Sequence, residues 1–522
     1  MPIASRVKAL RIVSRSSFHW PERPDRFSRA ALATLLGGTG PAGALAIGAA
    51  RYPHAPALVD ECGSLTFREL QRRSGVLAAQ LRRTGAGPGV TVGVIGRNHR
   101  TFVEAVVAAS TTGADVVLLN TGFAAPELAS VVTAEGVRIL LHDDEFAEAA
   151  AGCNVDTALG GEAMTRLAGE GSGPLRPARP AGRLVVLTSG TTGRAKGAAR
   201  SHAGAVDTAA AVLERIPLRV RDTQVVAAPL FHAWGLLHLF LGLSRSATAV
   251  LHTRFDPAAT LDAAVGHRAR VLIVVPAMLK RVLELGPERL ARADLSALAV
   301  IASSGSALGA PLASEVLRRL GPVLYNVYGS TEVALATIAT PGDLLRAPGT
   351  AGRVAFGSRV EVLDQDGEPV PAGGTGRVFV GSALPFEGYT GGGDKARVGP
   401  LMATGDVGHF DRAGRLFVDG RDDDMIVSGG ENVFPGEVED VLAAHPAIAD
   451  VAVIGVPDDD FGQALAAFVV RRPGADDLTA EAVRDHVRAT LARYKVPRRV
   501  EFVAELPRTT TGKVLKRRLV TP

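Results

Sequence analysis

The 522 residues carry 58 Lys and Arg against 53 Asp and Glu, and a net charge of +5 is too small for this length to argue for a nucleic-acid partner. Hydrophobic residues make up 47% and charged residues 21%, which excludes a disordered or membrane-embedded chain and fits a globular one longer than a single ordinary domain. The two cysteines, Cys62 and Cys153, are too few for a disulfide framework and lack metal-ligating neighbours, so they read as free thiols in a reducing, cytoplasmic setting.

The N-terminal stretch is basic, with Arg6, Lys8, Arg11, Arg15, Arg23, Arg26 and Arg29. An apolar run from Ala30 to Ala50 follows, interrupted by Gly37, Gly38, Gly40, Pro41 and Gly43. The interruptions argue against a spanning helix, and the apolar run stands too far along for a secretory leader. The expectation is helix packed on the main body with its arginines in solvent. Such a basic face can also touch a membrane surface peripherally.

Beyond it, Ala57-Leu58-Val59 reads as a strand, and Ser64 or Thr66 can cap a helix from Arg68 to about Thr84. Val90 to Ile95, Asp115 to Leu119 and Val137 to Leu141 are apolar strand patterns. The helical patterns Phe102 to Thr111 and Pro126 to Ala134 separate them. This alternation predicts an α/β domain on a mainly parallel sheet. Ala168 to Gly182 reads as a loop between two α/β halves. The second half is expected to begin with Leu184-Val185-Val186-Leu187. It continues through short strands at Gln224 to Ala228, Thr248 to Leu251, Val271 to Val275 and Ala299 to Ala302. From Gly352 to Val380 the pattern turns antiparallel, and Phe410 to Val418 reads as a hairpin. The polar break after Gly420 sets the expected domains at 1–420 and 421–522, the second being a small α+β unit.

Five stretches carry chemistry. Leu187 to Gly197, LTSGTTGRAKG, places Gly190, Gly193 and Gly197, the hydroxyls of Thr188, Ser189, Thr191 and Thr192, and Lys196 directly after an apolar strand. Glycines let backbone N–H groups approach an anion, and the hydroxyls and lysine add donors and charge, so this is a polyphosphate cradle. It is not the P-loop of the NTPases, because Ala195 and Gly197 break that pattern. Asn326 to Glu332 sets an aromatic, two hydroxyls and a carboxylate together, suited to a purine and to Mg²⁺. Thr404-Gly405-Asp406 offers a carboxylate for ribose hydroxyls. Arg421 precedes an Asp422-Asp423-Asp424 run and the glycines Gly429 and Gly430. Lys513 follows Gly512 near the C-terminal end. Taken singly, each is an ordinary turn or solvated charge.

Together, in this order, they resemble the adenylate-forming superfamily of acyl- and aryl-CoA synthetases, luciferases and nonribosomal adenylation domains. One departure is Ala195, where the family usually has proline. The resemblance implies a large N-terminal part of two α/β subdomains and a small β-barrel-like subdomain, hinged to a mobile C-terminal domain. It implies ATP, Mg²⁺ and coenzyme A, and a carboxylic acid first adenylated and then passed to the thiol. It assigns the phosphates to Thr188 through Lys196 and Mg²⁺ to Thr188 and Glu332. Adenine falls to Tyr328, Asn326 and the Gly305-Ser306-Ala307 stretch, with Gly329 and Thr331 in the same motif. Ribose falls to Asp406 and Arg421, and the attacking carboxylate and α-phosphate to Lys513. It makes Asp423 the hinge and lets Gly429 and Gly430 line the thiol tunnel.

Phe231-His232-Ala233-Trp234-Gly235 resembles the family's acid-site motif. His232, Trp234 and Gly235 are the substrate candidates, Trp234 as an acyl gate or simply a core aromatic. The small residues from Ala302 to Gly309 leave room for a chain. No charged residue flanks the acid motif to pair an amino group, which favours an apolar acid. The arginine-rich N-terminus resembles actinobacterial fatty acyl-CoA synthetases, so a medium- or long-chain fatty acid is expected. A fatty acyl-AMP ligase loading a carrier protein and an aryl-CoA synthetase stand as alternatives, and the oligomeric state is left open.

Overall fold

The computed structural model describes residues 3–17, 24–170, 177–178, 181–189, 195–200, 204–382, 386, 388–390, 395–422, 426–428, 431–458, 462–509 and 512–519. Its first sheet has six strands in the order Thr157–Gly160, Val137–His142, Thr91–Ile95, Asp115–Leu118, Leu184–Ser189 and Ala195–Arg200. Five run parallel, and the last returns antiparallel. Their near-continuous Val, Ile and Leu runs are those of strands covered on both faces. The helix Phe67–Arg83 is set by a capping box in which Thr66 Oγ1 accepts from the Glu69 amide at 3.2 Å and the Glu69 carboxylate accepts from the Thr66 amide at 2.7 Å.

The second sheet has nine strands. Leu324–Ser330, Val300–Ser303, Val271–Val274, Thr223–Val226, Thr248–Val250 and Pro56–Asp60 form its parallel centre, with antiparallel strands at both edges. Two strands sit elsewhere than the chain order suggests. The run Leu184–Ser189, expected to open the second half, closes the first sheet, with Val117 opposite Val185. The early strand Pro56–Asp60 joins the second sheet beside Thr248–Val250. Each half therefore borrows a strand from the other, and one continuous apolar core, including Leu58, Phe67, Phe102, Val225 and Ile301, runs through both.

The remaining layers complete the site's walls. Arg359–Leu363, Gly376–Gly381, Leu401–Phe410, Leu416–Arg421 and Arg397–Val398 make a five-stranded antiparallel sheet. The C-terminal part pairs Ile448–Asp458 with Gly462–Arg471 and packs the helices Pro435–Ala443 and Ala480–Arg488 around a core of its own, with Val438, Leu442, Val453 and Val469. At the other end, Ile3–Ser17 packs on the helix Ala205–Arg215, joined by the Lys8–Glu214 ion pair at 3.5 Å. Gly38 to Gly40 separate Pro24–Gly37 from Pro41–Arg51, so the apolar N-terminal run is two helices. Among the described residues no helix is long and apolar enough to cross a membrane.

Candidate active site

The two α/β sheets, the antiparallel sheet and the C-terminal domain enclose one cavity of about 2830 Å³. Strand ends and loops deliver the polar groups, as expected where parallel strands end at a crevice. Gly305, Ser306 and Ala307 line it just after Val300–Ser303. Asn326, Tyr328 and Gly329 reach it on the strand Leu324–Ser330, and Thr331 and Glu332 from the turn beyond. Gly329 is dictated by sterics, since a Cβ there would stand 1.9 Å from the Ala334 carbonyl oxygen where the strand pair shifts register.

Asp406 and Arg421 face each other as register partners on the strands Leu401–Phe410 and Leu416–Arg421, 3.5 Å apart. Thr404-Gly405-Asp406 is thus part of a long strand rather than a turn. Tyr328 donates its hydroxyl to Asp406 Oδ2 at 2.5 Å, and burial together with that carboxylate pushes the phenol well above its ordinary pKa. Two residues with no sequence motif join this wall. Lys395 donates to the Thr404 carbonyl at 2.9 Å, and Tyr389 donates to Glu332 Oε1 at 2.8 Å.

Glu332 is buried, and its second oxygen accepts from Ser330 Oγ at 2.7 Å. Burial pushes this carboxyl up, but Ser330, the Lys395 charge and Tyr389 outweigh it and hold the group below the usual carboxylate range. The side chain stays ionised, and each oxygen keeps a lone pair for a cation. Among the described residues no cluster of three His, Cys, Asp or Glu could hold a metal alone. A single cavity-lining carboxylate suits Mg²⁺, which takes one or two protein oxygens and completes its shell with phosphates and water.

The acid-site motif opens the helix Ala233–Ser244, with His232 as its N-cap and Trp234 and Gly235 on the cavity side. The Trp234 indole N–H donates to the Val274 carbonyl at 3.0 Å, and its ring meets His238 edge-on at 4.3 Å. These contacts hold Trp234 in the cavity wall. Burial lowers the His232 pKa to about 4, and its Nε2 is buried with no partner among the described residues. Past Trp234 the cavity continues between Leu237, Phe240, Ile47 and the N-terminal residues Leu10 and Val13. Two buried cations, Arg51 and Arg245, also line it, although no charge flanks the motif in sequence.

Lys513 comes to the cavity from the C-terminal domain. At the backbone, Thr188 stands opposite Lys196 on antiparallel strands, and Ser189 opposite Ala195. The cradle's Gly190, Thr191, Thr192 and Gly193 lie outside the described residues, as do Asp423, Gly429 and Gly430.

Residues 45–390 match the AMP-binding enzyme family, and residues 437–513 match the AMP-binding enzyme C-terminal domain. A feruloyl-CoA synthase of Amycolatopsis is 36% identical over 477 residues, covering 89% of this chain and 95% of its own. An indoleacetate–CoA ligase of Aromatoleum aromaticum is 34% identical, covering 87% and 92%. The structure of o-succinylbenzoate CoA synthetase from Bacillus subtilis, solved with its acyl-adenylate intermediate, superposes with a TM-score of 0.82 at 28% identity, covering 92% and 98%. These likenesses fall on aryl-acid ligases and not specifically on the fatty acyl-CoA synthetases that the N-terminal arginines suggested. Motifs, architecture and cavity all agree with the family match, and the chain belongs to the AMP-binding enzymes, the adenylate-forming superfamily.

Proposed function

We propose that this enzyme activates an aryl carboxylic acid with ATP and transfers the acyl group to coenzyme A. The observation that carries the reading is the single cavity. It joins a nucleotide end at Tyr328, Asp406 and Arg421 to an acid end walled by His232, Trp234 and Phe240, with Lys513 brought in from the C-terminal domain.

In the first step a carboxylate oxygen of the acid bonds to the α-phosphorus of ATP, and the bond to the bridging oxygen breaks, releasing pyrophosphate. This transfer needs positioning and charge neutralisation more than covalent help from the protein. Tyr328 stacks the adenine, Asn326 meets its edge, and the Gly305-Ser306-Ala307 stretch covers the other face. Asp406 and Arg421 hold the ribose hydroxyls. Because Tyr328 is bonded to Asp406, the base and sugar contacts form one preset unit. The Thr188 to Lys196 cradle takes the phosphates. Glu332 and Thr188 would hold Mg²⁺, which would supply charge neutralisation on the phosphates. Lys513 stabilises the charge developing between the carboxylate and the α-phosphate.

In the second step the thiol sulfur bonds to the acyl carbon, and AMP leaves with the electron pair of the acyl–oxygen bond. The C-terminal domain turns at Asp423 between the steps, which withdraws Lys513 and lets the thiol arm pass Gly429 and Gly430. Neutral His232 offers an uncharged imidazole to the acid. The aromatic walls and the names of the relatives, feruloyl-CoA synthase and indoleacetate–CoA ligase, support an aryl acid. The extension of the cavity towards Leu10 and Val13 is what favours a longer apolar chain as the second reading.

The test is a product assay by mass spectrometry with ATP, Mg²⁺ and ferulate, indoleacetate, 2-succinylbenzoate or palmitate, with and without coenzyme A. The expected result is AMP and an aryl-CoA. Palmitoyl-CoA alone would move the assignment to fatty acids. Adenylate that ignores coenzyme A would move it to carrier-protein loading, and no AMP with any acid would overturn the activity.

A further inference from the structure

Lys513 has no fixed place without its hairpin. Within that hairpin the Thr509 amide donates to the Lys513 carbonyl at 2.8 Å, the Gly512 amide to the Thr509 carbonyl at 2.9 Å, and the Lys513 amide to Thr509 Oγ1 at 3.1 Å. Arg508 ties it further by donating to the Gly512 carbonyl. These bonds tie Arg508, Thr509, Gly512 and Lys513 to one another, and what holds them sets where Lys513 stands.

One helix of the N-terminal part meets them directly and through Asp450. Pro276–Leu283 begins at the cavity wall, where Pro276 and Ala277 line the site. Ala277 and Lys280 are three residues apart and share one helix face. At the first, Gly512 lies so close that a Cβ on it would stand 2.5 Å from the Ala277 methyl. At the second, Lys280 Nζ donates to the Ala449 carbonyl at 2.6 Å and to Asp450 Oδ1 at 3.4 Å. The other oxygen of Asp450 is taken by Arg508 Nη2, the same arginine that ties the hairpin. The chain Lys280–Asp450–Arg508–Gly512 therefore runs without a gap from the acid-site wall to the residue before Lys513.

We propose that Lys280 is a positioning residue for Lys513, a clasp that holds the C-terminal domain in its adenylating orientation through Asp450 and Arg508. It rests on the proposed two-step reaction. Its pairs are partly solvent-exposed, with Lys280 38%, Asp450 26% and Arg508 34% accessible. Such pairs are worth little in stability and are cheap to break, which suits a contact that must open in each cycle. Lys280, Asp450 and Arg508 line the same cavity as Lys513, so the two half-reactions are compared separately: a clasp acts on the step that needs Lys513 in place.

The experiment compares Lys280→Ala, Lys280→Arg and Asp450→Asn with the parent in each half-reaction alone. Lys280→Ala is expected to slow acyl-adenylate formation about threefold to fivefold, while thioester formation from supplied acyl-adenylate is unchanged or faster. Lys280→Arg restores adenylation, and Asp450→Asn behaves as Lys280→Ala. Equal loss in both half-reactions, or no loss in adenylation, overturns the clasp. Amide hydrogen exchange over residues 508–515 in the nucleotide-free protein gives a readout without turnover. Faster exchange in Lys280→Ala but not in Lys280→Arg supports the clasp, and unchanged exchange overturns it. A parent enzyme that made no adenylate would refute the proposed function and leave exchange to decide the clasp.

Discussion

The Tyr328 hydroxyl donates to Asp406 across a separation of 78 residues, binding the second α/β sheet to the antiparallel one at the nucleotide end of the cavity. Tyr328→Phe keeps the ring and removes the tie. A hydrogen bond to a charged group contributes roughly 1.5–3 kcal/mol, but part of this is recovered by water in the open site. The KM for ATP is expected to rise about fivefold to tenfold with kcat nearly unchanged, as measured by initial rates across ATP concentrations.

Tyr389 and Ser330 fix the two oxygens of Glu332. Tyr389→Phe leaves one oxygen free to swing, and the Mg²⁺ concentration for half-maximal adenylation is expected to rise about threefold. Glu332→Gln removes the charge and is expected to cost at least about a hundredfold in adenylation, with no recovery at high Mg²⁺. A Mg²⁺ titration of both variants checks the pair.

Gly512 has φ +82°, and its missing Cβ leaves room for Ala277. Gly512→Ala is expected to push the hairpin off its helix and reduce adenylation about tenfold or more. The double variant with Ala277→Gly should recover part of the loss, because the clash disappears while the backbone strain remains. The half-reaction assay distinguishes the two.

His238 is fully buried against Trp234, and burial lowers its pKa to about 3 from an ordinary 6.5. The unfolded chain takes up this proton more readily than the folded one. The neutral form is therefore fully compatible with folding above pH 6.5, and stability is lost as pH falls below it towards 3. At pH 5 the linkage amounts to about 2 kcal/mol. His238→Leu should lose less stability than the parent between pH 7 and pH 5 in urea unfolding, whatever its stability at pH 7.

Contiguous chemistry was legible in the sequence. Asn326 to Glu332 and Thr404 to Asp406 each hold their groups within a few residues, and the cavity collects them. The strand–helix alternation was equally plain, because β-branched runs and glycine stops are local signals. The acid-site helix Ala233–Ser244 was not, since its sequence AWGLLHLFLGLS is apolar on nearly every face and shows little 3.6-residue periodicity. The sheet that Leu184–Ser189 joins was hidden for another reason: a buried parallel strand carries no mark of its distant partner. Tyr389 and Lys280 act on groups 57 and 170 residues away, and no spacing rule reaches that far. The acid end is equally illegible, because its wall residues come from separate helices that no single motif unites.

Asp422 donates its amide to the Gly405 carbonyl at 3.0 Å, directly after the strand that pairs Arg421 with Asp406. The chain leading into the C-terminal domain is thus tied to the back of the strand pair that carries Asp406 and Arg421. In the proposed cycle the pivot at Asp423 follows directly on this tie, so it is mounted on the strand pair assigned to the ribose.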